Sequence, residues 1–416
     1  MVPGAEKGSD GARWCRRAAW QRIRAGVAAG VLPAVRPRAM RRRVAVAAVG
    51  CAALLAGLGA AASAAGSASR GTGAAATASC AGWTSVPPPN PGSANVLNGV
   101  DVLSPSNVWA VGSYDPLDGS PTTQLVEHWD GTTWTALGVG RGVLRGVAAV
   151  SRTNVWVVGY PSSRPGRGSW TLHWDGTTWK AVTTPRHTDI LYGVAAVSAA
   201  NIWAVGNGGV LHWNGIAWKR VLGPVPGRVL LAVAASSPTH VWAVGYSGGS
   251  AKTLVLRWNG TRWKRVASPN PAGTATGNLN ILDSVTAISR HNVWAVGYDA
   301  HVADGPRKTL IEHWNGTRWK HVASPNPGEL GSVLAGVAAS SASNVWAVGE
   351  YGTASGGLTL TARWNGTRWK QIASPSPVLV TPPSNDGLNA VAVTSAVNVW
   401  AVGSIDFDET LAIRRC

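Results

Sequence analysis

Histidine at a repeated position is the first sign of chemistry in this sequence. Four histidines stand directly before a tryptophan, namely His128, His173, His212 and His313, and Arg257 and Arg363 take the same place elsewhere. Four imidazoles could ligate one metal ion if the fold brought each of them within about 2 Å of it. They lie in separate parts of the chain, so the elements that carry them decide whether they meet.

Other catalytic signatures are lacking. The chain contains no His-Glu-x-x-His sequence and no phosphate-binding glycine loop of the Gly-x-x-x-x-Gly-Lys type. Asp406, Asp408 and Glu409 form an acidic cluster, but their spacing is not that of a calcium loop. We therefore predict no catalytic residue, no metal site and no cofactor, and we expect the protein not to be an enzyme.

A repeat built on Val-Trp-Ala-Val-Gly organises the chain. The pentapeptide or a close variant recurs at spacings of 39 to 54 residues, around Trp109, Trp156, Trp203, Trp242, Trp294, Trp346 and Trp400. Each copy holds four short runs rich in Val, Trp, Thr and Leu, separated by turn residues, which predicts four antiparallel strands. We therefore predict an all-β, seven-bladed β-propeller with strands A to D in each blade, strand B being the pentapeptide run.

An Asn-Gly or Asp-Gly pair separates strands C and D in six of the copies. The pairs begin at Asp130, Asp175, Asn214, Asn259, Asn315 and Asn365. Such a pair favours a type I′ hairpin turn, in which both central residues have positive φ. The sequence therefore predicts a tight hairpin of this type at the end of each blade.

The seventh copy ends without a strand D. Its strands A, B and C are predicted at residues 388–393, 399–403 and 410–415. Near the N-terminus, the Trp-Thr-Ser-Val run from Trp83 resembles the Trp-Lys-His-Val run from Trp319, a predicted strand D. We therefore predict that this N-terminal strand is the outer strand of the last blade and closes the ring.

Two cysteines support this closure. Aligned on the repeat, Cys416 falls where Asn315 stands in the C–D turn, and Cys80 falls where Gly316 stands. A disulfide between Cys80 and Cys416 would replace that turn in the oxidising compartment that receives exported proteins.

The predicted fold decides between chemistry and packing for the repeated side chains. Tryptophans that recur mid-strand in every blade predict a wedge between neighbouring blades rather than sugar-stacking sites. Strand C is third from the axis and strands lie about 4.8 Å apart, so the strand C histidines are too widely separated to share one ion. Basic residues on strand D, such as Lys264 and Lys320, are expected to protect the outer edge. A band for acidic polymers is the alternative.

The first 80 residues have the composition of a leader. They carry 12 Lys and Arg against two Asp and Glu, so most of the formal charge of +18 lies outside the repeats and no nucleic-acid partner is predicted. Arg41 to Arg43, an uncharged run and the Ala-Ser-Ala sequence at Ala62 are the three parts of a secretory signal peptide. We expect a basic extension (1–39), a signal peptide from Met40 (40–64), a small-residue linker (65–79) and the propeller (80–416). The mature protein is expected to be secreted, with no membrane span; an uncleaved anchor is the alternative.

The repeat resembles the Trp-rich Val-Trp-Ala-Val-Gly repeat of secreted propeller proteins from high-GC bacteria, over residues 80–416. It is similar, more distantly, to kelch and tectonin repeats, although kelch blades carry Gly-Gly where this chain has Val-Gly. The Gly-His signature of WD repeats is missing. The resemblance implies a propeller fold and assigns no activity.

Tyrosines mark one face of the predicted propeller. Five of the six follow strand B directly or one residue later, at the start of the B–C loops. With other residues of these loops, the candidate binding face comprises Tyr114, Tyr160, Arg164, Arg167, Trp170, Tyr246, Tyr298, His301, Asp304 and Tyr351. Alternatively, each tyrosine caps its own blade.

The B–C loops differ in length between blades, which favours one extended partner over seven equal sites. We predict a monomeric, secreted, non-enzymatic binding protein that holds an extracellular protein or carbohydrate on this loop face. Two alternatives stay open. A multivalent lectin needs the same polar residues at every loop tip, and a propeller-type polysaccharide lyase or glycosidase needs histidine, tyrosine and carboxylate groups converging near the axis.

Overall fold

The structure, a computed structural model, describes residues 82–162, 168–248, 251–302, 305–377 and 384–415. Every regular element in these ranges is a β-strand. The predicted extension, signal peptide and linker lie outside the described residues and stay predictions. The described ranges contain no helix able to span a lipid bilayer.

Seven antiparallel sheets follow one another along the chain after a first short strand, β1 (Trp83–Ser85). Blade 1 consists of β2 (Ala94–Ser104), β3 (Asn107–Asp115), β4 (Thr123–Trp129) and β5 (Trp134–Arg141). Blade 2 consists of β6 (Val143–Ser151), β7 (Asn154–Tyr160), β8 (Trp170–Trp174) and β9 (Trp179–Ala181). Blade 3 consists of β10 (Leu191–Ser198), β11 (Asn201–Gly206), β12 (Gly209–Trp213) and β13 (Trp218–Leu222).

The second half of the ring repeats this order. Blade 4 consists of β14 (Arg228–Ser237), β15 (His240–Ser247), β16 (Lys252–Trp258) and β17 (Trp263–Val266). Blade 5 consists of β18 (Leu279–Ser289), β19 (Asn292–Ala300), β20 (Lys308–Trp314) and β21 (Trp319–His321). Blade 6 consists of β22 (Gly331–Ser341), β23 (Asn344–Thr353), β24 (Gly356–Trp364) and β25 (Trp369–Ile372), and the two-residue strand β26 (Ser384–Asn385) pairs in parallel with β24. Blade 7 contains β27 (Gly387–Ser395), β28 (Asn398–Ile405) and β29 (Glu409–Arg415).

The N-terminal strand completes the last blade, as predicted. β1 pairs antiparallel with β29, with Trp83 opposite Arg415 and Ser85 opposite Ile413. The strand order β1-β29-β28-β27 makes β1 the outer strand of blade 7. The prediction of a seven-bladed propeller with four antiparallel strands per blade is therefore confirmed.

Tryptophans pack together where one blade meets the next. The strand B tryptophan of a blade contacts the strand C and strand D tryptophans of its neighbour. Trp294 of blade 5, for example, lies 4.9 Å from Trp364 and 5.4 Å from Trp369 of blade 6, ring centre to ring centre. The same contact crosses the seam of the ring, where Trp400 of blade 7 lies 5.4 Å from Trp129 of blade 1. The recurring tryptophans are therefore the wedge between blades.

The C–D turns are hairpins, but their predicted type is wrong. Trp129 pairs with Trp134, so the loop between them has four residues. The side chain of Asp130 accepts hydrogen bonds from the backbone N–H groups of Thr132 and Thr133 at 2.7 and 2.8 Å. Only the glycine of each turn has a positive φ. The Asp or Asn stays at negative φ because its side chain, rather than a type I′ backbone, closes the loop.

Candidate functional site at the channel mouth

Every inner strand carries a β-bulge at the same point. In blade 1, Leu97 pairs with Gly112 and Gly99 pairs with Val111, so Asn98 between them has no partner on strand B. The other six inner strands show the same shift in register. Because a bulge bends the strand and redirects the extra side chain, seven side chains are set apart from the regular ladder.

The bulged residues line the central channel of the propeller. Each stands in a Leu-x-small-Val sequence, in which the small residue is Gly, Ala or Ser and only the bulged residue x varies freely. The seven bulged residues are Asn98, Arg145, Tyr192, Leu231, Asp283, Ala335 and Asn389. All are half-buried. The space that they and their neighbours enclose is about 740 Å³, which is within the usual range of ligand pockets.

These side chains lie near the end of the channel that opens on the B–C loops. Leu97, next to the bulge, pairs with Gly112, the residue that ends the pentapeptide run just before the B–C loop of blade 1. Strand A begins at this same end because strands A and B are antiparallel. We name the seven bulged side chains the channel mouth.

Arg145 of blade 2 is the centre of a polar cluster at the channel mouth. Its two terminal nitrogens donate hydrogen bonds to Oδ1 of Asn98 and to the hydroxyl of Tyr160, both at 3.4 Å and therefore long. Its buried Nε–H has no acceptor among the described residues. Within the same ranges, no carboxylate forms an ion pair with this guanidinium. A half-buried cation with only weak neutral partners is costly unless an anion joins it.

Tyr192 and Asp283 give the mouth two more titratable groups. Burial raises the pKa of Tyr192, and the positive charge of Arg145 opposes part of that shift. The Tyr192 phenol is therefore neutral at physiological pH and can donate a hydrogen bond. Asp283 stands on blade 5, three blades further round the ring, so the mouth has a positive side and a negative side.

Two asparagines tie neighbouring blades together at the mouth. The amide of Asn389 donates to the carbonyl oxygen of Leu97 at 2.9 Å, from blade 7 to blade 1. Asn98 makes the same contact with the carbonyl oxygen of Leu144 at 2.9 Å, from blade 1 to blade 2. These contacts hold the polar side of the mouth in one arrangement, which is what a binding site requires.

The structure buries two of the five tyrosines predicted on the loop face. Tyr246 and Tyr298 are 7% and 5% exposed, and they pack with Ile281 and Val333 where blades 4, 5 and 6 meet. Burial is also the main reason that the pKa of Tyr246 rises to about 12. For these two residues the structure favours the alternative in which each tyrosine caps a blade junction.

The other tyrosines differ in their surroundings. Tyr114 and Tyr351 are half-buried and pack against the hydrophobic clusters of blades 1 and 6. Tyr160 is half-buried as well, but its hydroxyl reaches Arg145 and its ring lies 5.8 Å from that guanidinium. Tyr160 is therefore the predicted face residue that the structure brings to the channel mouth.

The remaining predicted residues are not brought together. Trp170 begins β8 opposite Gly159 and is half-buried against the cluster between blades 1 and 2. His301 is exposed in the B–C loop of blade 5. The other predictions lie outside the described residues and stay predictions: Arg164, Arg167, Asp304 and the disulfide between Cys80 and Cys416.

The strand C histidines stack on the strand B tryptophans. His313 lies 4.1 Å from Trp294, ring centre to ring centre, and its Nε2 is 2.9 Å from Oδ1 of Asn292. Burial lowers the pKa of the four strand C histidines. In blade 4, Arg257 takes the same place, with its guanidinium carbon 5.3 Å from the ring centre of Trp242. Among the described residues, no group of three or more His, Cys, Asp or Glu side chains is placed to hold a metal ion.

Residues 245–249 read Gly-Tyr-Ser-Gly-Gly, which matches the Gly-x-Ser-x-Gly pattern of serine hydrolases. That pattern needs a sharp turn from a strand into a helix. Here Ser247 ends β15, paired with Arg228 on one side and Lys252 on the other. Its hydroxyl accepts a 3.5 Å hydrogen bond from Arg265. The match therefore belongs to the end of a strand and does not form a nucleophile elbow.

Sequence reasoning missed the channel mouth. Arg145, Tyr192 and Asp283 share no residue type, so no motif search selects them. The available signal was the Leu-x-small-Val sequence of strand A, in which one position changes from blade to blade between constant neighbours.

Comparison with solved structures supports the fold. The chain is similar to U3-55K, with a TM-score of 0.55 and 13% identity over 81% of this chain and 99% of that one. It is similar to the WD40 β-propeller domain of Doa1, with a TM-score of 0.52 and 12% identity over 80% of this chain and 97% of that one. It is also similar to an ulvan lyase, a polysaccharide lyase solved bound to -[GlcA(1-4)Rha3S]-, with a TM-score of 0.53 and 10% identity over 79% and 95%.

At this identity the likeness defines the class of the molecule, a β-propeller, and nothing finer. No protein-family model and no curated protein matches the sequence. The similar structures include WD40 propellers and a polysaccharide lyase. The function must therefore be argued from the channel mouth itself.

Proposed function

We propose that this chain is a non-enzymatic binding protein that holds an extracellular glycan or protein on the loop face, over the channel mouth. One observation carries the proposal. In the Leu-x-small-Val sequence, the residues that build the bulge stay constant in all seven blades, while the residue that lines the channel differs. The bulge itself accepts residues as different as Ala335 and Arg145, so folding does not require this diversity. Varied side chains on a rigid frame are how specificity for one asymmetric ligand is built.

The lining also bears on the two alternatives. A multivalent lectin needs the same polar group in every blade, whereas the mouth presents six different residue types in seven positions. A lyase or glycosidase needs histidine together with tyrosine and carboxylate near the axis. Tyr192 and Asp283 line the channel, but no histidine is among the described lining residues. Turnover is nevertheless measured in the test below.

Further parts of the proposal rest on the sequence. We propose that the chain is exported and acts as a monomer, and that it is a member of the Trp-rich Val-Trp-Ala-Val-Gly propellers of bacteria, distantly related to kelch and tectonin repeats. The ulvan lyase of similar fold was solved with a bound saccharide, which makes a glycan the first ligand class to test here.

Two matched Ala→Trp variants test the binding face. Ala335→Trp places an indole in the channel mouth, and Ala396→Trp adds the same side chain to the exposed A–B turn of blade 7, on the opposite face. The ligand is first identified with a glycan array and by pull-down from cell-envelope extract, using the purified full chain. For that ligand, Ala335→Trp is expected to weaken affinity by at least about tenfold and Ala396→Trp by less than about twofold.

Thermal unfolding of both variants shows that each is folded. An equal loss of affinity in both, or a loss confined to Ala396→Trp, would place the binding surface elsewhere and overturn the proposal. Cleavage of the bound glycan by the purified protein would overturn its non-enzymatic part.

A further inference from the structure

Arg145 has donor capacity that the protein leaves unused. A guanidinium carries five N–H donors in a planar fork. In the described residues its polar partners are the side chains of Asn98 and Tyr160, both neutral and both 3.4 Å away. The Nε–H is buried without an acceptor. An anionic group of a ligand that enters the channel would meet a preformed, partly desolvated cation there, and such charge-assisted contacts are the strong ones.

The surroundings of Arg145 combine polar edges with aliphatic faces. The polar part of the mouth is continuous over blades 7, 1, 2 and 3, with Asn389, Asn98, Arg145 and Tyr192. Across the channel, blades 4 and 6 contribute the aliphatic side chains of Leu231 and Ala335. A sugar ring has hydroxyls around its edge and C–H groups on its faces, so its chemistry matches this division. A peptide side chain with a terminal carboxylate would use the cation but not the rest.

We infer that Arg145 binds a carboxylate of the ligand, and that the ligand is a uronate-containing, acidic glycan. This inference rests on the proposed role of the channel mouth as the binding site. The carboxylate is held by the Arg145 fork, with the neutral Tyr160 and Tyr192 hydroxyls as additional donors. Asp283, on the far side of the ring, disfavours a second anion in the channel and so fixes which end of the sugar faces Arg145.

Titration calorimetry with oligogalacturonate at low salt tests the inference. The matched ligand is the same oligomer with its carboxyl groups reduced to alcohols. The acidic oligomer is expected to bind, and the reduced one to bind at least about tenfold more weakly, because a hydrogen bond to a charged group is worth about ten- to a hundredfold in affinity. A sulfated oligosaccharide and a polyglutamate peptide of equal charge separate carboxylate from sulfate and glycan from peptide.

Arg145→Leu is the decisive variant. Leucine is accepted at this bulge, because Leu231 occupies the equivalent position in blade 4. Arg145→Leu is expected to reduce affinity for the acidic oligomer by about tenfold or more and to leave affinity for the reduced oligomer unchanged. The control Arg228→Leu removes an exposed arginine from the start of strand A in blade 4, on the same face, and should change affinity by less than about twofold. Asp283→Asn should leave the affinity equal or raise it, the opposite sign to Arg145→Leu.

The outcomes separate this inference from the proposed function. Equal binding of acidic and reduced oligomers, full affinity in Arg145→Leu, or tighter binding of polyglutamate or of the sulfated oligosaccharide would overturn the uronate assignment. If a different ligand still loses affinity in Ala335→Trp and not in Ala396→Trp, the channel mouth remains the binding site and only the assignment fails. If the face variants also have no effect, both fail.

Discussion

Replacement of Glu127 by leucine is expected to stabilise the propeller, and to do so more strongly as the pH rises. Glu127 is fully buried on strand C of blade 1, and neither carboxylate oxygen has a hydrogen-bond partner among the described residues. Blades 2 and 3 carry Leu172 and Leu211 at the equivalent position, so the scaffold accepts leucine there.

The magnitude follows from the pKa. Burial raises the pKa of Glu127 from 4.5 to about 9 in the folded chain. The folded state therefore keeps a proton that the unfolded state releases, and the free energy of unfolding falls as the pH rises from 4.5 towards 9. At neutral pH this penalty is about 3 kcal/mol. In acid the carboxyl is neutral in both states, and only the cost of a buried, unsatisfied polar group remains, about 1 to 3 kcal/mol.

Urea unfolding followed by tryptophan fluorescence, in mildly acidic and in mildly alkaline buffer, measures this effect. The gain for Glu127→Leu should be clearly larger in the alkaline buffer. Glu329→Leu, at an exposed position, should show no such pH-dependent gain. Glu312 in blade 5 is also buried with a raised pKa, so the double variant should flatten the pH profile further. A gain that does not change with pH, or a net loss in both buffers, would refute the reasoning.

Other perturbations probe the blade junctions and the seam of the ring. Tyr246→Ala should lower the free energy of unfolding by about 3 kcal/mol, because its ring is buried between blades; chemical denaturation measures this, and a variant as stable as Tyr246→Phe would contradict it. Trp400→Ala should cost about 3 to 5 kcal/mol. Thermal unfolding should show a larger loss for it than for Trp170→Ala, and an equal loss would count against the wedge. Non-reducing peptide mapping should recover Cys80 and Cys416 as one linked pair, and two free thiols would exclude the disulfide.

The architecture was predictable because the same packing must recur wherever the same sequence recurs. Trp83 sits in a run that matches the strand D run at Trp319, and this likeness alone placed β1 in blade 7 opposite β29. The turn type was not predictable from the Asn-Gly pairs, because the same residues close a four-residue loop when the Asn side chain accepts the backbone N–H groups.

The channel mouth was harder to foresee. A bulge is a feature of the backbone and requires no particular residue at its extra position, so Asn98, Arg145 and Tyr192 look like noise within the repeat. Tyrosines were conspicuous by their type, yet Tyr246 and Tyr298 lie between blades. How far a side chain at the end of strand B is covered depends on the neighbouring blade, which the local sequence does not describe.

The seam between β1 and β29 also sets the order in which the molecule can be made. Thr84 and Arg414, hydrogen-bonded across it, are 330 positions apart. Until the ribosome has produced β29, the nascent chain is an open arc in which β1 has no partner and blade 1 lacks the indole of Trp400 against Trp129. Contacts so distant in sequence form slowly, so closure is a single late event. A chain that stops short of β29 loses the pairing of both seam strands at once. The closed ring therefore acts as a check on the completeness of synthesis.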